Sequence, residues 1–170
     1  YIGEQIGSEF FKTHTPFVVV DEDQFAIEAI LRAADTPYIV GDATKDETLI
    51  LCGIDRARGL IANLSDDKDN AFVVLSARAL NPNLRIIARL TDNENAEKLR
   101  KVGADEIVSP GAIGGLRMAS VMIRPVVVNF LDEMMRSSGQ TLRLEETTIN
   151  NASSLADISL AEANIGNKTG

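Results

Sequence analysis

A glycine and an acidic residue near the start of the chain have the spacing of a nucleotide-binding fingerprint. Gly3 lies at the start of a predicted helix, and Asp21 follows the apolar run 18–20, eighteen positions after Gly3. Glycine lets the backbone approach a pyrophosphate, and a carboxylate about 20 positions later accepts hydrogen bonds from ribose hydroxyls but repels a 2′-phosphate. We therefore expect Gly3 near the phosphates, and Asp21 on the ribose, of NAD, NADH or an adenine nucleotide (ATP, ADP or AMP).

Structural alternatives are open for both residues. Gly3 occupies only the third glycine position of Gly-x-Gly-x-x-Gly, and the first strand of such a fold is missing or truncated. A glycine at this place is also typical of a helix that packs closely on a strand. Glu22 is predicted to join Asp21 at the ligand, although a solvated acidic turn has the same composition.

The segment Gly41-Asp42-Ala43-Thr44 follows a second apolar run, 38–40. Ligands of parallel α/β sheets bind beyond the carboxyl ends of the strands, so we expect Asp42, Ala43 and Thr44 beside the adenosine. An Asx-turn or a cap for the next helix explains Asp42 and Thr44 equally well.

Arg89 is the basic residue predicted in the same site. It ends the run 84–88, where a guanidinium would hold a phosphate or an acidic group of a partner subunit. A surface arginine paired with Asp92 or Glu94 is the alternative.

Side chains for bond-making chemistry are scarce. The single histidine, His14, is placed at the end of the first predicted helix, and the single cysteine, Cys52, lies in an apolar run. Neither has the sequence neighbours that a general base, a nucleophile or a zinc site requires. We expect a domain that senses a ligand and catalyses no reaction. The alternatives are an NAD-dependent oxidoreductase fragment and an oligomerisation module without a working ligand site.

Short β-branched runs recur along the chain and predict strands that are buried on both faces. Apolar stripes of helical period separate them, and Asp46 is predicted to cap the third helix. This alternation is typical of the α/β class, with a Rossmann-like, doubly wound parallel sheet. The predicted strands are 17–20, 38–40, 59–62, 84–88 and 106–108, and the predicted helices begin near residues 2, 26, 46, 67 and 93.

The pattern changes at Pro110. Residues 111–136 predict two helical pieces separated at Pro125, with more apolar side chains than a small domain can cover by itself. We expect three parts: a nucleotide-binding domain at 1–109, a dimerisation segment at 110–137, for which an ordinary packed helix is the alternative, and the start of a small C-terminal subdomain at 138–170.

Charge and composition limit the partners and the location. The formal net charge is −8, whereas proteins that bind nucleic acid generally carry a basic face. A single cysteine is typical of a reducing compartment. No apolar segment reaches the roughly 20 residues of a membrane span. We expect a cytoplasmic domain with no nucleic-acid partner.

Six ordered blocks carry a resemblance to a known family. Together they resemble the RCK family, the regulators of potassium conductance, which includes the Trk-type potassium-uptake regulators. The likeness extends from residue 1 to about residue 136, and residues 141–170 resemble the beginning of that family's C-terminal ligand-binding subdomain. The blocks are Val18-Val19-Val20-Asp21, Gly41-Asp42-Ala43-Thr44, Gly53-Ile54-Asp55-Arg56-Ala57, Ile86-Ile87-Ala88-Arg89, Lys98-Leu99-Arg100-Lys101-Val102-Gly103-Ala104-Asp105, and Ser109-Pro110 followed by Ile113-Gly114-Gly115.

The resemblance implies a ligand-sensing domain that gates potassium flux, with a crossover helix in the segment 110–137 that exchanges contacts between two protomers. Its partners would be a second copy in a homodimer, further copies in an octameric gating ring, and a potassium channel pore or transporter subunit at the inner face of the membrane. It also implies a site for Ca²⁺ or another divalent cation, which prefers several carboxylate oxygens, with a solvated acidic surface as the alternative. The carboxylates concerned are Asp132, Glu133, Glu145 and Glu146.

Overall fold

In the computed structural model, residues 2–32 and 35–128 are described, and helices and strands alternate along them. Two short 3₁₀ turns, Ile54–Arg56 and Asn93–Asn95, complete the description. The helices are α1 (Ile2–Lys12), α2 (Gln24–Leu31), α3 (Asp46–Leu51), α4 (Asp67–Leu80), α5 (Ala96–Lys101) and α6 (Pro110–Ile123), and the strands are β1 (Val19–Asp21), β2 (Tyr38–Val40), β3 (Gly59–Ala62), β4 (Arg85–Arg89) and β5 (Glu106–Val108).

All described strand pairs are parallel. β1 pairs with β2, and β4 lies between β3 and β5. Parallel neighbours require crossover connections, and here each crossover contains a helix. The prediction of an α/β, Rossmann-like fold with a parallel sheet is confirmed.

The described strands form two separately paired groups, β1–β2 and β3–β4–β5. Among the described residues, β1 and β3 each have a strand partner on one side only. The usual strand order of a dinucleotide-binding fold is 3-2-1-4-5-6. Without its strand 1, this order leaves two groups, 3-2 and 4-5-6, which correspond to β2-β1 and β3-β4-β5 here. The N-terminus of α1 lies near both halves, since a Cβ built on Gly3 would be 3.5 Å from Ile30 Cδ1 and 3.7 Å from Asn63 Nδ2. The missing first strand stays a prediction, which this arrangement supports.

The main core surrounds β4 and α4. Asp66 caps α4 by accepting a hydrogen bond from the Lys68 N–H at 2.8 Å. The helix ends at Leu80, and Asn81 is its C-cap, just before Pro82. Its inner face packs on alternate residues of β4, as the strand period of two requires. The fully buried apolar residues of this cluster include Val74, Ala77, Leu84, Ile86, Ala88 and Leu99.

Burial of the strands on both faces was predicted, and this is wrong for β2. Tyr38 and Val40 are 51% and 52% exposed, whereas Ile39 between them is half-buried. Successive strand residues point to opposite faces, so Tyr38 and Val40 share a face that no described element covers. A three-residue apolar run does not reveal that its strand lies at the edge of a sheet.

The predicted cap of the third helix is also wrong. Asp46 is the first helical residue of α3, and the capping position is Lys45, whose side chain makes no capping hydrogen bond. The turn before α3 is instead closed by Asp42, whose Oδ1 accepts hydrogen bonds from the Thr44 N–H and hydroxyl.

The segment after β5 is helical, as predicted. Pro110 is the first residue of α6, where a missing N–H costs nothing. The helix is interrupted at Arg124, because Pro125 has no N–H to donate, and residues 125–128 are helical again. The two predicted pieces are therefore confirmed as far as residue 128.

The chain divides into two compact units, Tyr1–Ala119 and Ser120–Gly170. The predicted domain boundaries at 109 and 137 stay predictions. In the ranges that the structure describes, no helix is long and apolar enough to cross a membrane.

Arg78 joins three segments at the amino-terminal edge of the β3–β5 sheet. Its guanidinium donates to the carbonyl oxygens of Leu84 at 2.7 Å and Gly103 at 2.8 Å, and to Asp105 Oδ2 at 2.9 Å. Gly103, two residues after the end of α5, has a φ of +113°, and a Cβ there would lie 3.1 Å from Arg78 Cγ. Glycine is therefore required at this turn.

Asp105 gives this junction a dependence on pH. The Ile86 N–H donates to Asp105 Oδ2 at 2.6 Å. This bond, outweighing partial desolvation, lowers the pKa of Asp105 with help from Arg78. A carboxyl with a lowered pKa stabilises the fold above its unfolded value of about 3.9, and the stabilisation is lost as the pH falls through the folded value.

We expect Asp105→Asn to lower the melting temperature at pH 7, with the difference from the parent chain shrinking below about pH 4. Thermal melts at a series of pH values measure this. Glu97→Gln is the matched control, because Glu97 pairs with Arg100 on an exposed helix face, where ion pairs contribute little. A gap between Asp105→Asn and the parent chain that stays constant down to pH 2 would contradict the assignment.

Candidate functional site

One cavity of about 540 Å³ contains every nucleotide-site residue predicted from the sequence. A volume of this size lies within the range of small-molecule and cofactor sites. The predicted residues on its lining are Gly3, Asp21, Glu22, Asp42, Ala43, Thr44 and Arg89. Their ligand contacts stay a prediction, but the structure brings all seven together.

Strand ends and one helix end position these residues. Asp21 and Arg89 are the last residues of β1 and β4, and the segments 41–44 and 63–65 follow β2 and β3. The N-terminal turn of α1 adds Ile2, Gly3 and Glu4 to the lining. The cavity therefore lies at the carboxyl ends of parallel strands, where ligands of open α/β sheets bind.

Asp21 has one carboxylate oxygen committed to its own turn. Oδ1 accepts the Asp23 N–H at 2.9 Å, and Asp23 in turn caps α2 by accepting the Phe25 N–H at 2.9 Å. Among the described residues, no group donates to Asp21 Oδ2. That oxygen is available to a hydroxyl group of a ligand.

Asp42 forms the Asx-turn that was one of its two predicted roles. Its Oδ1 accepts hydrogen bonds from the Thr44 hydroxyl at 2.6 Å and the Thr44 N–H at 2.8 Å. The Thr44 hydroxyl is the main cause of a lowered pKa at Asp42, and the backbone bond and Lys45 add to it. Asp42 is therefore ionised at neutral pH, and its contact with adenosine stays a prediction.

Arg89 does not make the surface ion pair that was its alternative role. In the described part of the chain it pairs with neither Asp92 nor Glu94; instead, Asp92 accepts the Glu94 N–H at 3.0 Å. Arg89 lines the cavity, and its guanidinium has no described carboxylate partner. It can therefore receive an anionic group.

The cavity is otherwise acidic. Arg89 is the only basic residue among its described lining residues, and an anionic ligand would depend on it and on the partial positive charge at the N-terminus of α1. The lining carboxylates are Glu4, Asp21, Glu22, Asp23, Asp42 and Asp69.

Gly3 and Gly7 differ in what surrounds them. A Cβ on Gly7 would lie 2.8 Å from Ile30 Cγ2, which is too close, so Gly7 packs α1 on α2. A Cβ on Gly3 would meet only ordinary contacts at 3.5 Å and beyond. Packing therefore requires glycine at position 7 and not at position 3.

Three further lining residues, which were not predicted from the sequence, follow β3: Asn63, Leu64 and Ser65. They follow the run 59–62, which was predicted as a strand and is β3. The rule that selected Asp21 and Asp42 also selects this segment, so a usable signal was present.

The residues considered for catalysis lie elsewhere. His14 is exposed, with a φ of +55° just after α1, and Cys52 is half-buried at the end of α3. Burial raises the pKa of the Cys52 thiol, which keeps it protonated and weakly nucleophilic. Neither lines the cavity.

The predicted cation ligands Asp132, Glu133, Glu145 and Glu146 fall outside the described residues. Within the described ranges, no group of three or more histidine, cysteine or acidic side chains is arranged to hold a metal ion. The cation site stays a prediction.

A second cavity of about 280 Å³ lies between α4 and α5. Its lining is largely hydrophobic, with Ala71, Phe72, Leu75 and Leu99 among its residues. None of the predicted nucleotide-site residues lies there.

Comparison with curated proteins gives two archaeal relatives of high similarity. Probable potassium channel protein 2 of Methanocaldococcus jannaschii is 41% identical over 175 residues, covering 99% of this chain and 51% of the relative. Potassium channel protein 1 of the same organism is 39% identical, covering 79% of this chain and 40% of the relative. The chain thus spans about half the length, or less, of these relatives.

Solved structures share the fold. The TrkA-N domain of the Escherichia coli inner membrane protein YbaL superposes with a TM-score of 0.65 at 24% identity, over 72% of this chain and 90% of that domain. The GsuK channel bound to NAD gives a TM-score of 0.51 at 26% identity, over 69% of this chain and 24% of that one. GsuK bound to ADP gives 0.53 at 27% identity, over 72% and 38%.

Residues 1–110 match the sequence profile of the TrkA-N domain. Because that match includes most of the 170 residues and the curated relatives are potassium channel proteins, the resemblance to the RCK regulators is confirmed, and this chain belongs to the TrkA-N domain family.

Proposed function

We propose that this chain is the regulatory, nucleotide-sensing domain of a potassium channel or potassium transporter, acting at the cytoplasmic face of the membrane. One observation carries the proposal: the cavity at the strand ends is lined by Asp21, by Arg89 and by the N-terminus of α1, and among the described residues one Asp21 oxygen accepts no hydrogen bond and Arg89 makes no ion pair. These are a hydroxyl acceptor, a cation and a helix dipole, which suit the ribose and phosphates of a nucleotide. The GsuK channel, a structural neighbour, is bound to NAD in one structure and to ADP in another.

The proposed ligand is NAD, NADH or an adenine nucleotide. Asp21 accepts from the ribose, the phosphates lie between Gly3 and Arg89, and Asp42, Ala43 and Thr44 border the adenosine. Glu22, next to Asp21 in the chain, also lines the cavity. A divalent cation on the acidic residues beyond 128 would be a separate site.

An oxidoreductase is the second candidate. The described lining residues contain carboxylates but no histidine, cysteine, tyrosine or lysine, which leaves few types of general acid, base or nucleophile for chemistry beside a nicotinamide. Binding without turnover is therefore the favoured reading. Sustained oxidation of NADH by any small carbonyl compound would reverse this conclusion.

Calorimetry with NAD and ADP, on the parent chain and on Asp21→Asn, tests the proposed nucleotide binding. We expect affinity to fall about ten- to a hundred-fold, because one charge-assisted hydrogen bond to the ribose is lost. Asp46→Asn is the control, since Asp46 is an exposed first-turn carboxylate outside the cavity. Equal affinities in all three proteins would exclude Asp21 from the site.

Gly3 and Gly7 separate ligand approach from packing. We expect Gly3→Ala to keep or slightly raise the melting temperature, because alanine is the better helix former, while weakening NAD binding by crowding the phosphates. Gly7→Ala should instead destabilise the fold, because its methyl group would meet Ile30 at 2.8 Å. Thermal melts and calorimetry on both variants measure this. Unchanged NAD affinity in Gly3→Ala would place the phosphates elsewhere.

The proposed assembly is a homodimer built through α6 and the helical residues after it, and such dimers would form the octameric ring that the family resemblance implies. α6 has no buried residue, and Leu116, Met118 and Met122 are 72%, 75% and 83% exposed. Exposed apolar area of this kind is typical of a protein interface. The membrane partner would be a pore or transporter subunit.

We expect Met122→Glu to convert the dimer to a monomer, because a charge would be buried at the helix pair. Light scattering across a range of protein concentrations measures this. Leu51→Glu is the control, since Leu51 is 73% exposed on α3. A parent chain that is monomeric at every concentration, or a dimer that survives Met122→Glu, would argue against α6 as the interface.

A further inference from the structure

The first turn of α4 carries two polar side chains that the proposed site does not use. Asn70 is fully buried and Asp67 is 6% exposed. They lie three positions apart, so they share one face of the helix. Buried polar groups are costly unless every hydrogen bond is satisfied, so their partners show what they do.

Asn70 joins the ends of two strands. Its Oδ1 accepts the Leu64 N–H at 2.8 Å, and its Nδ2 donates to the Leu64 carbonyl at 3.1 Å and to the Arg89 carbonyl at 3.2 Å. Leu64 and Arg89 both line the cavity. One side-chain amide therefore holds the backbone on both sides of the opening between β3 and β4.

The hydrogen bonds of Asn70 take the place of β-ladder hydrogen bonds between β3 and β4, which stop at this point. The last pair of β3 with β4 is Ala62 with Ala88, and β4 continues to Arg89 only against β5. After this pair, the N–H and C=O groups with which β3 and β4 would have continued their pairing have no strand partner, since a parallel ladder needs an adjacent strand. The amide of Asn70 supplies the donor and the acceptor that the absent neighbour would have provided.

Asp67 fixes the residues that follow Arg89. Its Oδ1 accepts the Thr91 N–H at 2.8 Å, and its Oδ2 accepts the Asp92 N–H at 2.9 Å and the Asn95 amide at 3.1 Å. Burial raises the pKa of Asp67, but these hydrogen bonds outweigh it, and the net direction is downward. The backbone is thus held at residue 89 by Asn70 and at residues 91 and 92 by Asp67.

We propose that Asn70 and Asp67 are positioning residues of the ligand site: they hold the backbone around Arg89 so that its guanidinium is directed to an anionic group in the cavity. This inference rests on the proposed nucleotide site and adds to it the device that orients its only described cation. The ligand class concerned is one that carries phosphate, because adenosine alone offers Arg89 no charge.

The experiment is calorimetry with ADP and adenosine, which differ only in the phosphates. The variants are Asn70→Ala, Arg89→Ala and the double variant. Asn81→Ala is the matched control, because Asn81 is the C-cap of the same helix and does not line the cavity. Its Nδ2 donates to the carbonyls of Ile54 at 2.9 Å and Ala57 at 3.2 Å. Asp67→Asn replaces Asn70→Ala if the latter does not fold.

We expect Asn70→Ala to lower ADP affinity about ten-fold and adenosine affinity less than about two-fold. In the Arg89→Ala background the same change should alter ADP affinity less than about two-fold, because its effect passes through Arg89. Asn81→Ala should lower the melting temperature and leave the ratio of ADP to adenosine affinity unchanged.

Three results would overturn the inference, and they are distinguishable. Equal losses for ADP and adenosine in Asn70→Ala would indicate a merely structural role. If Asn70→Ala still lowered ADP affinity about ten-fold in the Arg89→Ala background, Asn70 would act by a route other than Arg89. A parent chain that binds neither of these compounds nor NAD would remove the proposed function itself, and with it this inference.

Discussion

Parallel strands that separate at their carboxyl ends are the constraint on which the site depends. A ladder satisfies backbone groups only while strands stay adjacent, and beyond that point each buried N–H and C=O needs another partner. At Leu64 and Arg89 that partner is the Asn70 amide. On the other sheet Asp21 and Asp42 close their own turns with one oxygen each. The polar side chains at the strand ends therefore stabilise the diverging backbone first, and the remaining carboxylate oxygen of Asp21 is available to a ligand.

The same constraint explains how far the sequence could predict the site. A side chain directly after a β-branched run lies at a strand end, so the cavity residues could be chosen without knowing how the strands pair. Asn70 could not, because an asparagine within a helix has no sequence feature that distinguishes a buried bridge from an exposed residue. Gly3 and Gly7 also look alike in sequence, and only the close approach of Ile30 shows which of them is required by packing. The exposed face of Tyr38 likewise depends on which strands form the sheet edges.

The charges of its lining residues limit which ligands the cavity can bind. Its six lining carboxylates face one guanidinium and one helix N-terminus, so an anionic ligand is attracted locally and repelled by the rest of the lining. A dinucleotide or a nucleotide with few phosphates satisfies this balance better than a bare polyphosphate, because its ribose can donate to the carboxylates. The lack of a described ion pair at Arg89 matters for the same reason: pairing with Asp92 would cancel the cation that offsets the acidic lining.

A sensing domain must bind its ligand with different affinity in two conformations, since equal affinity shifts no equilibrium. The cavity has contributions from both sheets, and among the described residues no strand pairing joins β1 to β3. A ligand held by Asp21 on one sheet and by Arg89 on the other would span them, so its binding free energy would depend on their separation. Linkage makes this coupling reciprocal: any strand or partner that fixes the separation from outside the cavity also sets the affinity for the ligand within it.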